Sequence, residues 1–229
     1  MIKRFDDLPE RVRLPEVKPY FDRLRKKSFQ LFLKRVFDIF VAAVVLIILS
    51  PVLIIAALAV GIGSKGPVFY LQERVGRNGK PFRIIKFRTM VVNADKAGAQ
   101  ITVGGRDPRI TRVGYVLRKT SIDELPQMIN ILKGDMSLVG TRPEVERYVK
   151  EYTPEMMATL LMRPGVTGSS SLKYSCENEM LKGQENPEEY YINKILPDKM
   201  AINLEYTRDF SVLTDLKILC KTAVCVFKR

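Results

Sequence analysis

Histidine is absent from all 229 residues. Its absence excludes an imidazole base, and with it Ser-His-Asp and Cys-His nucleophile arrangements and any histidine-ligated metal. Cysteine is scarce: Cys176, Cys220 and Cys225 form neither a C-x-x-C pair nor a zinc spacing. Their odd number fits a reducing compartment, with thiols packed or at an interface. No G-x-x-x-x-G-K-[ST] and no G-x-G-x-x-G occurs, so a P-loop is excluded and a nucleotide-binding Rossmann unit is disfavoured. RNP-like aromatics, zinc-finger spacing and a helix-turn-helix pattern are lacking too, and nucleic acid is not expected as a partner. An enzyme built on this chain has carboxylates, hydroxyls, lysines, arginines and an oxygen-ligated metal to work with.

What is present begins with charge. Lys and Arg number 38 against 25 Asp and Glu, a net +13 that suits anionic lipid head groups or phosphorylated small molecules. The other dominant feature is Ile39 to Ile62, 24 uncharged and mostly apolar residues with Ser50-Pro51 at their middle. A straight helix of that length spans roughly 36 Å, enough for a hydrocarbon core of about 30 Å. Pro51 penalises such a helix at its centre, because it lacks an N–H and clashes with the preceding turn. Basic residues flank both ends: Lys26, Lys27, Lys34 and Arg35 before, Lys65, Arg74, Arg77 and Lys80 after. Both flanks therefore favour the cytoplasmic side. A helix–break–helix that dips into one leaflet and returns satisfies both, with the Ser50 hydroxyl bonding a carbonyl freed by the proline. A spanning helix with a tolerated kink is the alternative, and Pro51 is the residue that decides between them.

The chain divides into an N-terminal arm and interfacial helix (1–35), the broken membrane helix (36–63) and a cytosolic domain (64–229). Residues 1–19 read as an irregular arm, and YFDRLRKKSFQLFLKR (20–35) as one interfacial helix. VFYLQERVG and FRIIKFRTM are expected as short strands around the Arg77–Lys80 turn. Residues 93–106 read as a loop, about 124–132 as a helix capped at Gly134, and 144–161 as a helix broken at Pro154. RPGVTG (163–168) is expected as a tight turn and 186–206 as helix in pieces. The final stretch reads as an interfacial helix or a core-packing one. The fold class expected is mixed α/β, helix-dominated and monotopic, with a small cytosolic domain.

Asp123 and Glu124 are the adjacent acids that chemistry points to, and a structural reading competes. Ser121-Ile-Asp-Glu fits a capping box, with Ser121 as N-cap and Glu124 reaching back. On the functional reading, a carboxylate near a helix N-terminus stays ionised and can ligate Mg²⁺ or attack phosphorus. Arg142-Pro143 and Arg163-Pro164-Gly165 hold arginine forks at proline-restrained turns, suited to phosphate oxygens. Lys86 and Arg88 alternate on the second expected strand, and a solvated basic face is the competing reading there.

These segments occur in the order KRVFDIFVAAVVLIILSPVLIIAAL, ERVGRNGKPFRIIKFRTM, DPRITRVGYVLRKTSIDELPQMINILKGDMSLVGTRP, RPGVTG and TDLKIL. Together they resemble the bacterial sugar transferases, monotopic phosphoglycosyltransferases, from about residue 34 onward and in a short form without extra transmembrane helices. The resemblance implies transfer of sugar-1-phosphate from a UDP-sugar to undecaprenyl phosphate, with release of UMP, as the first membrane step of bacterial glycan synthesis. It implies Asp123 as nucleophile and Mg²⁺ ligand, Glu124 as its helper, and Arg118, Arg142 and Arg163 as phosphate holders, joined by Lys86 and Arg88. Mg²⁺ is the implied cofactor, and Ser50-Pro51 matches the family's re-entrant break. The implied location is the cytoplasmic face of the bacterial inner membrane, with membrane lipid as a partner and a homo-oligomer admitted but not required. A catalytically silent membrane scaffold for glycan assembly is the competing function. Two departures stand out: Thr141 replaces the proline of the family's GPRP, and Ser169–Tyr174 replaces a tryptophan-containing stretch.

Overall fold

The structure, a computed structural model, describes residues 4–94 and 107–227. Helices predominate, with two small two-stranded sheets among the described residues. The N-terminal segment is docked rather than a free arm: three 3-10 turns, Phe5–Asp7, Glu10–Val12 and Pro15–Val17, bury Val12 and Val17 completely. The expected 20–35 helix is two pieces, α1 (Lys18–Lys26) and the start of α2 (Ser28–Ile48). Beyond a break at Leu49, α3 (Ser50–Gly63) leaves at an angle of 65°.

Strands β1 (Phe69–Val75) and β2 (Pro81–Phe87) form the expected antiparallel hairpin, with Tyr70 opposite Lys86. Asn78 (φ 59°) and Gly79 (φ 73°) make its tight turn, the left-handed pair that matches strand twist. Then come α4 (Arg112–Lys119), which was not anticipated, a 3-10 turn at Ile122–Glu124, and α5 (Gln127–Lys133). The 124–132 helix thus begins three residues later than expected, while its Gly134 cap holds. β3 (Ser137–Val139) pairs in parallel with β4 (Gly165–Thr167), so RPGVTG is half strand rather than a turn. Gly165 lies against the backbone of Gly140 too closely for a Cβ, which is why this tight crossing takes glycines. Of 144–161, only α6 (Glu146–Val149) and a 3-10 turn at Met156–Leu161 are helical.

The remainder is α7 (Ser169–Lys173), α8 (Glu177–Leu181), α9 (Pro187–Tyr190), a π-turn (Tyr191–Ile195), α10 (Leu196–Asp209) and α11 (Val212–Phe227). Pieces over 186–206 are as expected. Helix α11 docks one face, through buried Asp215 and Ile218, and leaves Leu213 and Val224 exposed. Ile131, Met136, Leu196, Met200 and Phe210 are buried at the centre of the core. Of the loop expected at 93–106, residues 95–106 lie outside the described residues.

The bent pair is tied to this domain at both ends. Lys34 on α2 is a buried ion-pair member rather than a free flank: its Nζ donates to Asp215 Oδ2 at 2.6 Å and to the Val139 carbonyl at 2.9 Å. Arg35 donates to the Ile131 and Leu132 carbonyls at the end of α5. Asp38 accepts from Ser137 Oγ at 2.7 Å and from the Leu138 N–H at 3.1 Å. On the α3 side, Ala56 and Val60 pack with Phe87 and Leu117. At the bend, Ser50 Oγ donates to the Ile47 carbonyl at 2.8 Å, and Pro51 occupies the first turn of α3, where a missing N–H costs nothing. Pro51 is therefore one of several restraints on the bend. Among the described residues no single helix is long and apolar enough to cross a membrane; this bent pair is the candidate by length and composition.

Candidate active site

Ser121 takes a left-handed backbone (φ 57°) and caps nothing with its side chain, which overturns the capping-box reading. The kink frees Glu124 to face inward. Glu124 Oε1 accepts from Lys86 Nζ at 2.7 Å and from an Arg142 terminal nitrogen at 2.9 Å. Lys86 arrives from β2, and Arg142 from the turn after β3, despite Thr141 beside it. Arg118, in the last turn of α4, is oriented by donating its Nε–H to Thr89 Oγ1 at 2.8 Å. Gly114 lets α4 approach the Thr89 backbone closely enough for that bond, because a Cβ there collides with the Thr89 carbonyl.

Asp123, Glu124, Lys86, Arg118 and Arg142 share one cavity of about 610 Å³. The two acids titrate apart. Burial, and then the neighbouring Glu124 charge, push the Asp123 carboxyl up to about 6. This reverses the expectation of a carboxylate kept ionised by a helix N-terminus: burial and Glu124 outweigh what the short 3-10 turn there supplies. Burial opposes ionisation of Glu124 as well, but Arg142 and Lys86 overcome it and hold it far below the usual carboxylate range. Burial lowers Lys86, with Glu124 opposing. Glu124 is thus held between two cations, whereas Asp123 makes no ion pair among the described residues.

Arg88 reaches the same cavity while fastened to α3: one terminal nitrogen donates to the Ser64 carbonyl at 2.6 Å and to Ser64 Oγ at 2.7 Å. Its Nε and other terminal nitrogen are buried without a hydrogen-bond partner among the described residues. Arg163 goes elsewhere. Its Nε–H donates to the Gly134 carbonyl at 2.8 Å, and its side chain lines a separate cavity beside α2. The phosphate role expected of it therefore does not join the Asp123 site.

Ser171, Tyr174, Ser175 and Glu177 also line this cavity, so the Ser169–Tyr174 departure contributes to its wall. Two cations there escaped sequence reasoning. Arg74 was visible in principle, since Tyr70, Gln72 and Arg74 alternate on β1 and all line the cavity. Lys199, buried on α10 and bonded to Glu177 at 2.8 Å, carried no local signal. Among the described residues no three acidic side chains gather to hold a metal unaided. One carboxylate still fits Mg²⁺, which completes its shell with substrate phosphates and water.

The family model described as bacterial sugar transferase matches residues 29–229. The chain belongs to the bacterial sugar transferase family. This sugar transferase is 41% identical to the UDP-glucose:undecaprenyl-phosphate glucose-1-phosphate transferase of Escherichia coli (strain K12), over 86% of this chain and 40% of that protein. It is 38% identical to the UDP-N-acetylgalactosamine-undecaprenyl-phosphate N-acetylgalactosaminephosphotransferase of Aeromonas hydrophila, over 83% of this chain and 43% of that one. The chain thus spans less than half the length of either. It is also 36% identical to the exopolysaccharide production protein PSS of Rhizobium leguminosarum bv. phaseoli, over 87% and 97% respectively. The relatives are named for different sugars, glucose and N-acetylgalactosamine.

Proposed function

We propose that this chain transfers sugar-1-phosphate from a UDP-sugar to undecaprenyl phosphate, releasing UMP and giving undecaprenyl-diphosphate-sugar. The observation that carries the reading is the division of labour in the acidic dyad: Glu124 is clamped by Lys86 and Arg142, while Asp123 stands unpaired among cations. An Asp123 carboxylate oxygen attacks the sugar-bearing phosphorus, the bond from that phosphorus to the bridging oxygen breaks, and UMP leaves with that oxygen. An oxygen of undecaprenyl phosphate then attacks the same phosphorus and restores the Asp123 carboxylate. Arg118, Arg142, Lys86 and Arg88 hold the diphosphate and its developing charge, which is most of what phosphoryl transfer requires. Mg²⁺ would be held at Asp123 and would supply positive charge to offset that of the phosphates.

The α2–α3 pair is read as a re-entrant dip on the cytoplasmic face of the bacterial inner membrane. That placement presents the site to a water-soluble donor and to the head-group phosphate of a lipid acceptor. Because α2 and α3 are separately fastened to the domain, Pro51→Leu alone is expected to leave both flanks on one side. Accessibility labelling of single cysteines beyond each end checks this; a flank found on the opposite side overturns it.

Purified protein given undecaprenyl phosphate, Mg²⁺ and a panel of UDP-sugars, with UMP and UDP detected separately, tests the reaction. UMP release with one donor supports it, and UDP release refutes it in favour of transfer of the sugar alone. The pH dependence follows from Asp123, whose ionised fraction falls as pH drops through about 6. kcat/KM is expected to fall at acid pH as the Asp123 carboxylate is lost, with a midpoint that moves down as Mg²⁺ is raised. A profile that stays flat down to pH 3 at every Mg²⁺ concentration contradicts Asp123 as the ionised nucleophile.

A further inference from the structure

The cavity that captures Arg163 has no part in the reaction proposed above and shares no lining residue with the Asp123 cavity. Its volume is about 470 Å³, and Arg35, Arg77 and Arg163 converge on it. Each arginine is positioned by backbone carbonyls: Arg35 by Ile131 and Leu132, Arg77 by Leu161, Arg163 by Gly134. Among the described residues none of the three pairs with a carboxylate. Asp38, the one acid lining this cavity, is already engaged by Ser137 and Leu138, and Lys34 there is engaged by Asp215. Burial, followed by the charges of Arg77 and Arg35, lowers Arg163 to about 10, with Asp38 and Asp135 opposing. Three guanidinium groups converging on one cavity against the single carboxylate of Asp38 suit an anionic ligand.

The rim names the anion's source. Phe29 and Phe32 border the cavity and are 69% and 63% exposed, on the helix that continues into the bent apolar pair. We infer that this cavity binds one acidic membrane phospholipid, its phosphodiester held by Arg35, Arg77 and Arg163 and its acyl chain lying along Phe29 and Phe32. The inference rests on the re-entrant reading, since only that placement brings the cavity to head-group level. A lipid seated there joins α2 to the carbonyl ends of α5 and of the turn at Met156–Leu161.

The test compares thermal unfolding of the full chain in nanodiscs of phosphatidylcholine alone and with phosphatidylglycerol added. Phosphatidylglycerol is expected to raise the midpoint by about 3–6 °C. Arg77→Gln with Arg163→Gln is expected to lose most of that rise. Arg25→Gln with Lys26→Gln, an equal charge change on exposed parts of α1, is expected to keep it. Equal losses in the two double variants overturn the site in favour of diffuse attraction. A matching rise from inorganic phosphate overturns the lipid assignment. Should the arginine variant not fold, native mass spectrometry of the wild type decides: one retained phosphatidylglycerol supports the site, and none refutes it. Failure to enter phosphatidylcholine nanodiscs at all is a separate outcome that sinks the re-entrant reading itself.

Discussion

Asp123→Asn is expected to reduce UMP release by a factor on the order of 10⁴ or more while making the protein more stable, not less. Asparagine keeps the shape of the side chain but supplies no carboxylate oxygen to form the phosphosugar bond. The stability gain has its own cause. In the folded protein the Asp123 carboxyl is raised from 3.8 to about 6 by burial and by Glu124, so the fold holds that proton more tightly than the unfolded chain does. Stability from this group therefore falls as pH rises through about 4 to 6, and at neutral pH the buried charge is a net cost. Allowing for partial exposure, removing it returns roughly 1–2 kcal/mol, a rise in midpoint of about 2–6 °C at this chain length. The two readouts separate a nucleophile from a structural acid. A variant that loses activity and also melts lower contradicts the assignment, and a variant that keeps turnover refutes it outright.

Lys34→Met is expected to have the largest effect on the fold. It deletes the 2.6 Å ion pair to Asp215 and the bond to the Val139 carbonyl, leaving Asp215 buried with Tyr206 as its remaining partner. Breaking one half of a buried pair costs about 3–5 kcal/mol, a drop in midpoint on the order of 10 °C. The double variant Lys34→Met with Asp215→Leu is expected to recover much of the loss, because neither charge is then stranded. Thermal unfolding of the two variants in one detergent checks this. An unchanged midpoint for Lys34→Met means that the pair is solvated and the anchor unimportant.

How legible each part was follows from the range over which its cause acts. The β1–β2 hairpin was readable because Asn78-Gly79 and the alternation around it are local signals. The β3–β4 pairing was not, since three-residue parallel strands in RPGVTG carry turn composition and are fixed by backbone fit between Gly140 and Gly165. The buried valines of the N-terminal segment were masked by its prolines and charges. Within the site, Asp123, Glu124, Arg118 and Arg142 were marked by a compact motif, and the cavity gathers all four. Arg163 looked equivalent to Arg142 in sequence, both being followed by proline. What separates them is the partner: Glu124 draws one inward, and the Gly134 carbonyl draws the other to the α2 side.

The Lys34–Asp215 bond also sets a timetable. Its partners lie 181 residues apart, so the lysine leaves the ribosome long before the carboxylate that will neutralise it. At about 5–20 residues per second, that interval is roughly ten to forty seconds. Throughout it, Lys34 lacks its carboxylate partner, although the Val139 carbonyl is made earlier. The bent pair must therefore wait at an aqueous boundary, where the ammonium stays hydrated, and its final seating is postponed until the last helix is made.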